Sequence, residues 1–426
     1  MSGRALWDSG YTLHVEVAFS AATGDSGVWE VSLWDTGTWG PDRVWSDVTL
    51  DTFLWSSNLG RNREDGHCTA ATGGVTLDST SGAYTPENLS GAYVTGGVTG
   101  VRPGRPIRGY AVRDSDQVEF PLFYGSIDDW DEALDSRAPT ITFAWVDGIA
   151  DLAGTDGYEQ PDAGAGELVG VRMHRILDNA EWDSSRNIDI GKTALQGTTL
   201  AQAAWTEVLL SADSAGGDAW VEPDNTFRFA DREAPLRNTR SNSVQWTFTD
   251  ADTPGALRYE SLALRNGMDM LVTQVALARA GGTVIVDTDL AARALYGRTV
   301  RRWGRNDLIC QSDIDVETLV KLALLRRADP SRRPREIVLR PQIYPELWPV
   351  VLGAKRWDRV QVVKRHATAG TTITHDCFVD GIGHAADSTD WVTVIRLAST
   401  VGYPTVGTFG VWDSSVWDGA VWAPEI

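Results

Sequence analysis

Residue types that could do chemistry gather in two places. His375 and Cys377 stand two apart, the spacing that puts side chains on one face of a strand, and His384 follows after a short turn. Imidazole and thiolate ligate zinc, but a structural zinc takes four ligands at stricter spacing and no fourth is at hand. The second group is acidic: Asp128, Asp129, Asp131 and Glu132, with Asp135 beyond. Carboxylates in such a run can hold calcium or act as the pair that cleaves glycosides. The spacing does not match a calcium-binding loop, and no glycine stands at the bend. Strand residues facing solvent or core, and a solvated acidic turn, are the plainer readings of the two groups. No phosphate loop, GxSxG elbow, HExxH or paired CxxC occurs. With no nucleophile held beside a base, the chain is expected to be non-catalytic, with no cofactor and no catalytic, cofactor-binding or metal residues.

Both groups lie on strand-like runs. Residues 354–397 hold three of them: Arg359–Lys364 around Val360 and Val362, Cys377–Ile382, and Trp391–Leu397 with apolar side chains at every second position. Such alternation buries one face and wets the other. Residues 103–147 repeat the layout as PGRPIRGYAV, FPLFYGSIDDW and TITFAWVD. Here Arg105 and Ile107 take the places of Arg359 and Val360, and Gly125 and Ile127 those of Gly381 and Ile382. Order and spacing persist where identity does not, as expected of a duplicated β module.

Around these modules the chain divides into five stretches: a Trp-rich β segment (1–45), a first barrel (46–147), an α+β insert (148–239), a second barrel with helices (240–400) and a Trp-rich tail (401–426). The expected fold is mainly β, with two related tube-type barrels and a small helical and hairpin insert. In the insert, GELVGVRMHRILDNAEW and TTLAQAAWTEVLLSADS read as helices, the second behind a threonine cap, and AWVEPDNTFRFADR reads as a hairpin turning at Pro223-Asp224-Asn225. DTDLAARALYGR and DVETLVKLALLRR are helices of the second barrel, the latter capped by Asp313 or Asp315.

Tryptophan is the compositional oddity, with 19 in 426 residues. Trp29, Trp34 and Trp39 recur near one end, and Trp412, Trp417 and Trp422 at the other. Each set reads as short strands and corners that form a mini-core, or as a docking or sugar-stacking surface. A formal net charge of −20 argues against nucleic-acid binding through a basic surface. Within that acidity Ala291–Arg340 carries 12 Lys/Arg against 6 Asp/Glu, read as a solvated face or one that meets an acidic neighbour such as 128–135. No apolar run is long enough to span a membrane. Scattered Cys68, Cys310 and Cys377 do not form a disulfide framework, and the N-terminus lacks the order of a signal peptide, so the chain is expected to be made in cytoplasm.

Four stretches resemble the tail-hub (minor tail, or baseplate-hub) proteins of long-tailed bacteriophages, in particular those of actinobacterial hosts. Gly60 to Arg108 is similar to the family's run of small-residue strand, "TLDN-DG-Y-P-N" turn and "PGRPVRI" strand; Asp78 and Pro86 are kept and Ser79 replaces asparagine. LFYGSIDDW is similar to "LFxGxIDxW", FVDGIGHAADSTDWVTVIRLA to "VxGIxHxIxxxxWxTxLxLS", and AWVEPDNTFRFADR to the family's glycine-turned hairpin. The resemblance spans about residues 46–400. It implies a virion protein at the tail tip, assembled in the host cytoplasm, whose homotrimer forms a pseudo-six-fold ring. A tail-tube or distal-tail protein would sit above, tip, tape-measure or fibre proteins below, and DNA would pass through an acidic lumen without being bound or cut. The rival reading is a carbohydrate-binding or glycan-cleaving Trp-rich β protein at the host surface.

Overall fold

The computed structural model describes residues 10–21, 43–61, 66–133, 138–155, 164–365 and 371–403, apart from 96, 252–253, 266, 268–270, 298, 329–332, 388 and 402. The Trp-rich repeats, and Asp135, lie outside the described residues.

Alternation places the first barrel. In Tyr11–Ala21 (β1) the inward set Leu13, Val15, Val17 and Phe19 is buried. Arg43–Asp47 (β2), Thr52–Gly60 (β3), Thr72–Asp78 (β4), Pro106–Arg113 (β5), Glu119–Ala133 (β6) and Thr140–Val146 (β7) complete a ribbon in the order β2-β1-β5-β6-β7-β4-β3. From Tyr11 to Val17 β1 pairs with β5, so it belongs to this barrel and not to a separate terminal segment ending at residue 45. Val48 N donates to Val15 O at 2.9 Å and Val15 N to Thr49 Oγ1 at 2.8 Å, which ties the β2–β3 corner back onto β1. Where β5 crosses β6, Gly109 lets the Phe123 ring lie on the backbone: a Cβ there would come within 2.2 Å of it.

The insert contains helices Gly148–Gly154 (α1), Val169–Asn179 (α2) and Ala204–Ala215 (α3) over a small sheet of Arg186–Ile188 (β8), Asp218–Val221 (β9) and Phe227–Ala230 (β10). The β9–β10 hairpin turns where expected, with Asn225 in the left-handed region at φ 66°. α3 starts later than its sequence implies. Leu200 is buried before the helix, and Glu207 Oε1 accepts from Gln202 N at 3.3 Å in place of a threonine cap.

The second barrel uses Val244–Thr249 (β11) and Ser261–Arg265 (β12). A side unit of Gln274–Arg279 (β13), Ile285–Thr288 (β14), Arg301–Leu308 (β15) and the helix Asp313–Arg327 (α4) interrupts it. Ser312, not Asp313 or Asp315, caps α4, its Oγ accepting from Asp315 N at 3.2 Å. The barrel resumes with Arg333–Leu339 (β16), passes through the helix Trp348–Gly353 (α5), and ends with Arg359–Arg365 (β17), Thr372–Asp387 (β18) and Trp391–Ser399 (β19), in the order β11-β17-β18-β19-β16-β12.

The two ribbons match strand for strand: β3-β4-β7-β6-β5 has the order and antiparallel sense of β12-β16-β19-β18-β17. Registers fix the equivalent residues. Ile107 faces Gly125 as Val360 faces Cys377, and one residue of β6 (Asp128) and one of β18 (Asp380) bulges out of the pairing with the next strand. Bulge to bulge, Ile127 matches Val379, Trp145 matches Leu397, Phe143 matches Ile395 and Val75 matches Ile337, all of them buried. The Ile107–Val360 equivalence therefore stands. Gly125 takes the place of Cys377 rather than Gly381, and Pro106, not Arg105, that of Arg359. The barrels differ at the flank, where β1 joins β5 antiparallel and β11 joins β17 parallel.

β18 joins the two barrels into one 14-stranded sheet. Its first half pairs with β17, and from Gly381 to Asp387 the same edge pairs with β3, Gly381 facing Gly60 and Asp387 facing Leu54. Beneath this seam one hydrophobic cluster runs through both barrels. The Trp391 ring meets Trp348 at 5.2 Å and Trp55 at 4.9 Å, both edge-on, and Trp55 leads on to Phe123 and Trp145. At one end of the seam Arg61 Nη2 lies 2.7 Å from Asp218 Oδ2, and Arg356 Nη2 binds Asp218 and, at 3.0 Å, Asp380 Oδ1. The bulge turns Asp380 toward these arginines, and the insert supplies Asp218.

Two outcomes are expected. Arg356→Met should destabilise the chain by about 3–5 kcal/mol in denaturant unfolding, because it strands buried carboxylates, and Arg356→Met with Asp218→Leu should recover part of that loss. Unchanged stability in the single variant would show the cluster to be incidental. Burial also pushes the His384 imidazole down to about 3. Below its ordinary value of about 6.5 the unfolded chain takes up a proton that the folded chain refuses, so this group's contribution falls as pH falls from about 6.5 toward 3. Wild type should thus lose stability relative to His384→Gln by about 1.4 kcal/mol per pH unit between pH 6 and 4; parallel pH profiles would contradict the assignment.

Candidate functional site

The residues singled out for metal do not converge. Cys377 points into the core, while His384 lies under the seam, its Nδ1 3.0 Å from Thr393 Oγ1. Trp391 Nε1 donates to that same hydroxyl at 3.0 Å, which leaves the hydroxyl proton for Nδ1 and places the ring proton on Nε2. His375 faces Val362 across the β17–β18 pair. Among the described residues no group of three or more His, Cys, Asp or Glu side chains is placed to hold a metal ion.

The acidic group lies not on a turn but on the second half of β6. Asp128, Asp129 and Asp131 are exposed, and Glu132 accepts from Thr85 Oγ1 at 2.8 Å. Asp128 is the bulge residue equivalent to Asp380. In one barrel that carboxylate is locked between arginines, and in the other it faces solvent. Asp129–Ala133 pair with β7, beyond the end of the β5–β6 ladder at Ser126.

The basic run finds many of its carboxylates inside the chain. Arg305 binds Asp213 and, at 2.8 Å, Asp307; Lys321 binds Glu317 at 2.7 Å; Arg340 binds Asp390 and, at 2.5 Å, Glu260. Arg335 is exposed and 4.0 Å from Glu336. None of these contacts is to 128–133.

Two of the shifted groups outside these clusters are the buried Asp147 and the half-buried Arg326. Burial raises Asp147 to about 7, but its Oδ1 accepts from Ile149 N at 3.0 Å and caps α1, a structural duty. Burial lowers Arg326 to about 9, helped by Arg327 and Arg61. Among the described residues its Nε and Nη2 find no hydrogen-bond partner, and its guanidinium lies 4.4 Å from the centre of the Tyr403 ring. The adjoining cleft of about 330 Å3 also contains His67, Asp213 and Arg305. Its chemistry suits an anionic group.

The junction cluster has no signal in the sequence, since Arg61, Asp218, Arg356 and Asp380 come from four distant stretches. The register did have one: Ile127-Asp128 and Val379-Asp380 are the same apolar–acidic step, and aligning on the aspartate instead of the glycine gives the observed equivalence.

No family model matches the chain, and no curated protein matches it in sequence. Solved structures do. The tail protein from Neisseria meningitidis MC58 aligns over 92% of this chain and 98% of its own, with a TM-score of 0.57 at 13% identity. The 43 kDa tail protein of prophage MuSo2 from Shewanella oneidensis aligns over 91% and 98%, with a TM-score of 0.56 at 11% identity. At such identities what is shared is the fold: this mainly β chain, barrels and insert together, has the fold of phage tail proteins.

Proposed function

We propose that the chain is a structural virion protein, the hub at the distal end of a long-tailed phage's tail tube. Three copies form a ring of six barrels below a tube or distal-tail protein and above tip, tape-measure or fibre proteins. The observation that carries the reading is the register equivalence of two barrels within one chain that has the fold of phage tail proteins. A tube built from six-fold rings needs six equivalent docking surfaces, and three chains with two equivalent barrels each provide them. The symmetry change from six to three is absorbed inside one polypeptide. A closed ring of this kind uses head-to-tail contacts. The net charge of −20 suits a lumen that repels phosphates and lets DNA slide. The reading includes no catalysis; the exposed aspartates of β6 have no partner base or nucleophile among the described residues. Trp55, Trp145, Trp348 and Trp391 are buried, so no described tryptophan among them offers a platform for sugar.

Purified protein should have three times the mass of the chain in light scattering and appear as rings with six-fold-like density in electron micrographs. A monomer or a hexamer of chains would overturn the proposal. Incubation with peptidoglycan or polysaccharide should release no reducing ends; turnover that Asp128→Asn or Asp129→Asn abolishes would make the chain an enzyme.

A further inference from the structure

We infer that the cleft beside Arg326 is a binding site for a carboxylate carried on an apolar body, with the Arg326 guanidinium as its counter-ion. This site goes beyond the hub reading and does not depend on it.

The helix α4 brings the arginine there. Leu319, Leu322, Ala323 and Arg326 stand at i, i+3, i+4 and i+7, so they share one face of the helix. All four line the cleft of about 330 Å3, together with Gly216 and Gly217 at the end of α3. An inward-facing apolar stripe thus ends in a charge, at a position where the helix pattern calls for another leucine. Arg326 also lines a second cleft of about 130 Å3, among Trp357, Phe378 and Tyr403. It therefore stands where the two clefts meet, between the insert and the second barrel.

The surrounding arginines already have carboxylates. Arg61 and Arg356 share Asp218 and Asp380, and Arg305 binds Asp213 and Asp307. Among the described residues none pairs with Arg326. Its Nε and Nη2 are buried without a hydrogen bond, and the face of the Tyr403 ring lies against its guanidinium. Arg61 and Arg327 add to the positive potential around it. A buried cation with no counter-ion is costly, and an anion entering the cleft would offset that cost. Two parallel N–H groups of a guanidinium match the two oxygens of a carboxylate. One unpaired cation balances one monoanion, whereas a phosphate dianion would leave a charge over. The leucines beside it suit an alkyl group next to that carboxylate. The ligand chemistry is therefore a free monocarboxylic acid with an apolar chain, or an Asp or Glu side chain presented by a neighbouring copy.

The test uses the full chain and hexanoate as the probe. Hexanoate should raise the unfolding temperature of wild type and bind at least about tenfold more tightly than hexanol or inorganic phosphate, and Arg326→Met should weaken it by at least about tenfold. Arg326→Met alone should unfold at no lower temperature than wild type, since it removes a buried charge that has no partner. Light scattering separates the two sources of carboxylate. If hexanoate leaves the mass of the assembly unchanged, the site takes a free acid; if hexanoate and Arg326→Met both lower that mass, it takes a side chain of a neighbouring copy. Equal hexanoate affinity in wild type and Arg326→Met, or binding matched by hexanol or phosphate, would overturn the assignment. A clear loss of stability in Arg326→Met would overturn it too, for it would mean that a carboxylate of the chain itself already holds this arginine.

Discussion

The structure depends on one strand serving two barrels. β18 is long enough to pair with β17 along its first half and β3 along its second, while β19 holds its other edge from Cys377 to Ala386. That arrangement needs a bend, and the bulge at Asp380 marks where it occurs. A bulge adds twist and re-aims one side chain; here it turns a carboxylate into the gap between Arg61 and Arg356. Backbone pairing, the aromatic row from Trp348 to Trp145 and the ionic cluster are thus three consequences of one joint. Because the hydrophobic cluster is continuous beneath it, the two barrels lack separate cores and have no plane along which to slide.

The insert makes this joint rigid. Its β9 contributes Asp218, whose carboxylate is held well below its usual range by Arg356 and Arg61 despite complete burial. Arg356 in turn lies 4.6 Å from the centre of the Trp220 ring of the same strand, its guanidinium charge more firmly held than usual because of Asp218 and Asp380. On the outer side of β18, Arg396 donates to Arg61 O at 2.8 Å and Leu59 O at 2.5 Å, ending β3 where the ladder stops. Buried ion pairs add little net stability compared with apolar packing, but removing one partner is costly. A cluster shared among both barrels and the insert therefore specifies their relative positions more than it strengthens any one of them.

How legible this was from the sequence depends on range. The strands of both modules were visible because period-two alternation is local, and the β9–β10 turn was visible because Pro-Asp-Asn carries its own conformational preference. Helix caps were less legible: Ser312 outcompeted two aspartates that read equally well, and α3 lost a turn because Leu200 found a better place in the core than on a helix. The duplication was visible in outline but mis-registered, since glycine was used as the landmark. Glycine tolerates many backbone states, whereas the apolar–acidic step at the bulge is tied to a geometric event in the sheet. The junction was invisible, for it is a contact across more than 300 residues with no repeating pattern to announce it.

The asymmetry between the two bulges has a physical sense. Asp380 is buried among arginines because its edge is satisfied inside the chain, while Asp128 and its neighbours keep the equivalent edge charged and wet. A bare strand edge recruits any other strand, including its own copy on another molecule. Two β6 edges brought together would oppose their carboxylates at strand-pairing distance, where like charges repel. Like charges at that distance oppose self-pairing of this edge. Residues that first resembled a calcium or glycosidase site are the exposed continuation of a strand whose counterpart in the other barrel is buried in the junction.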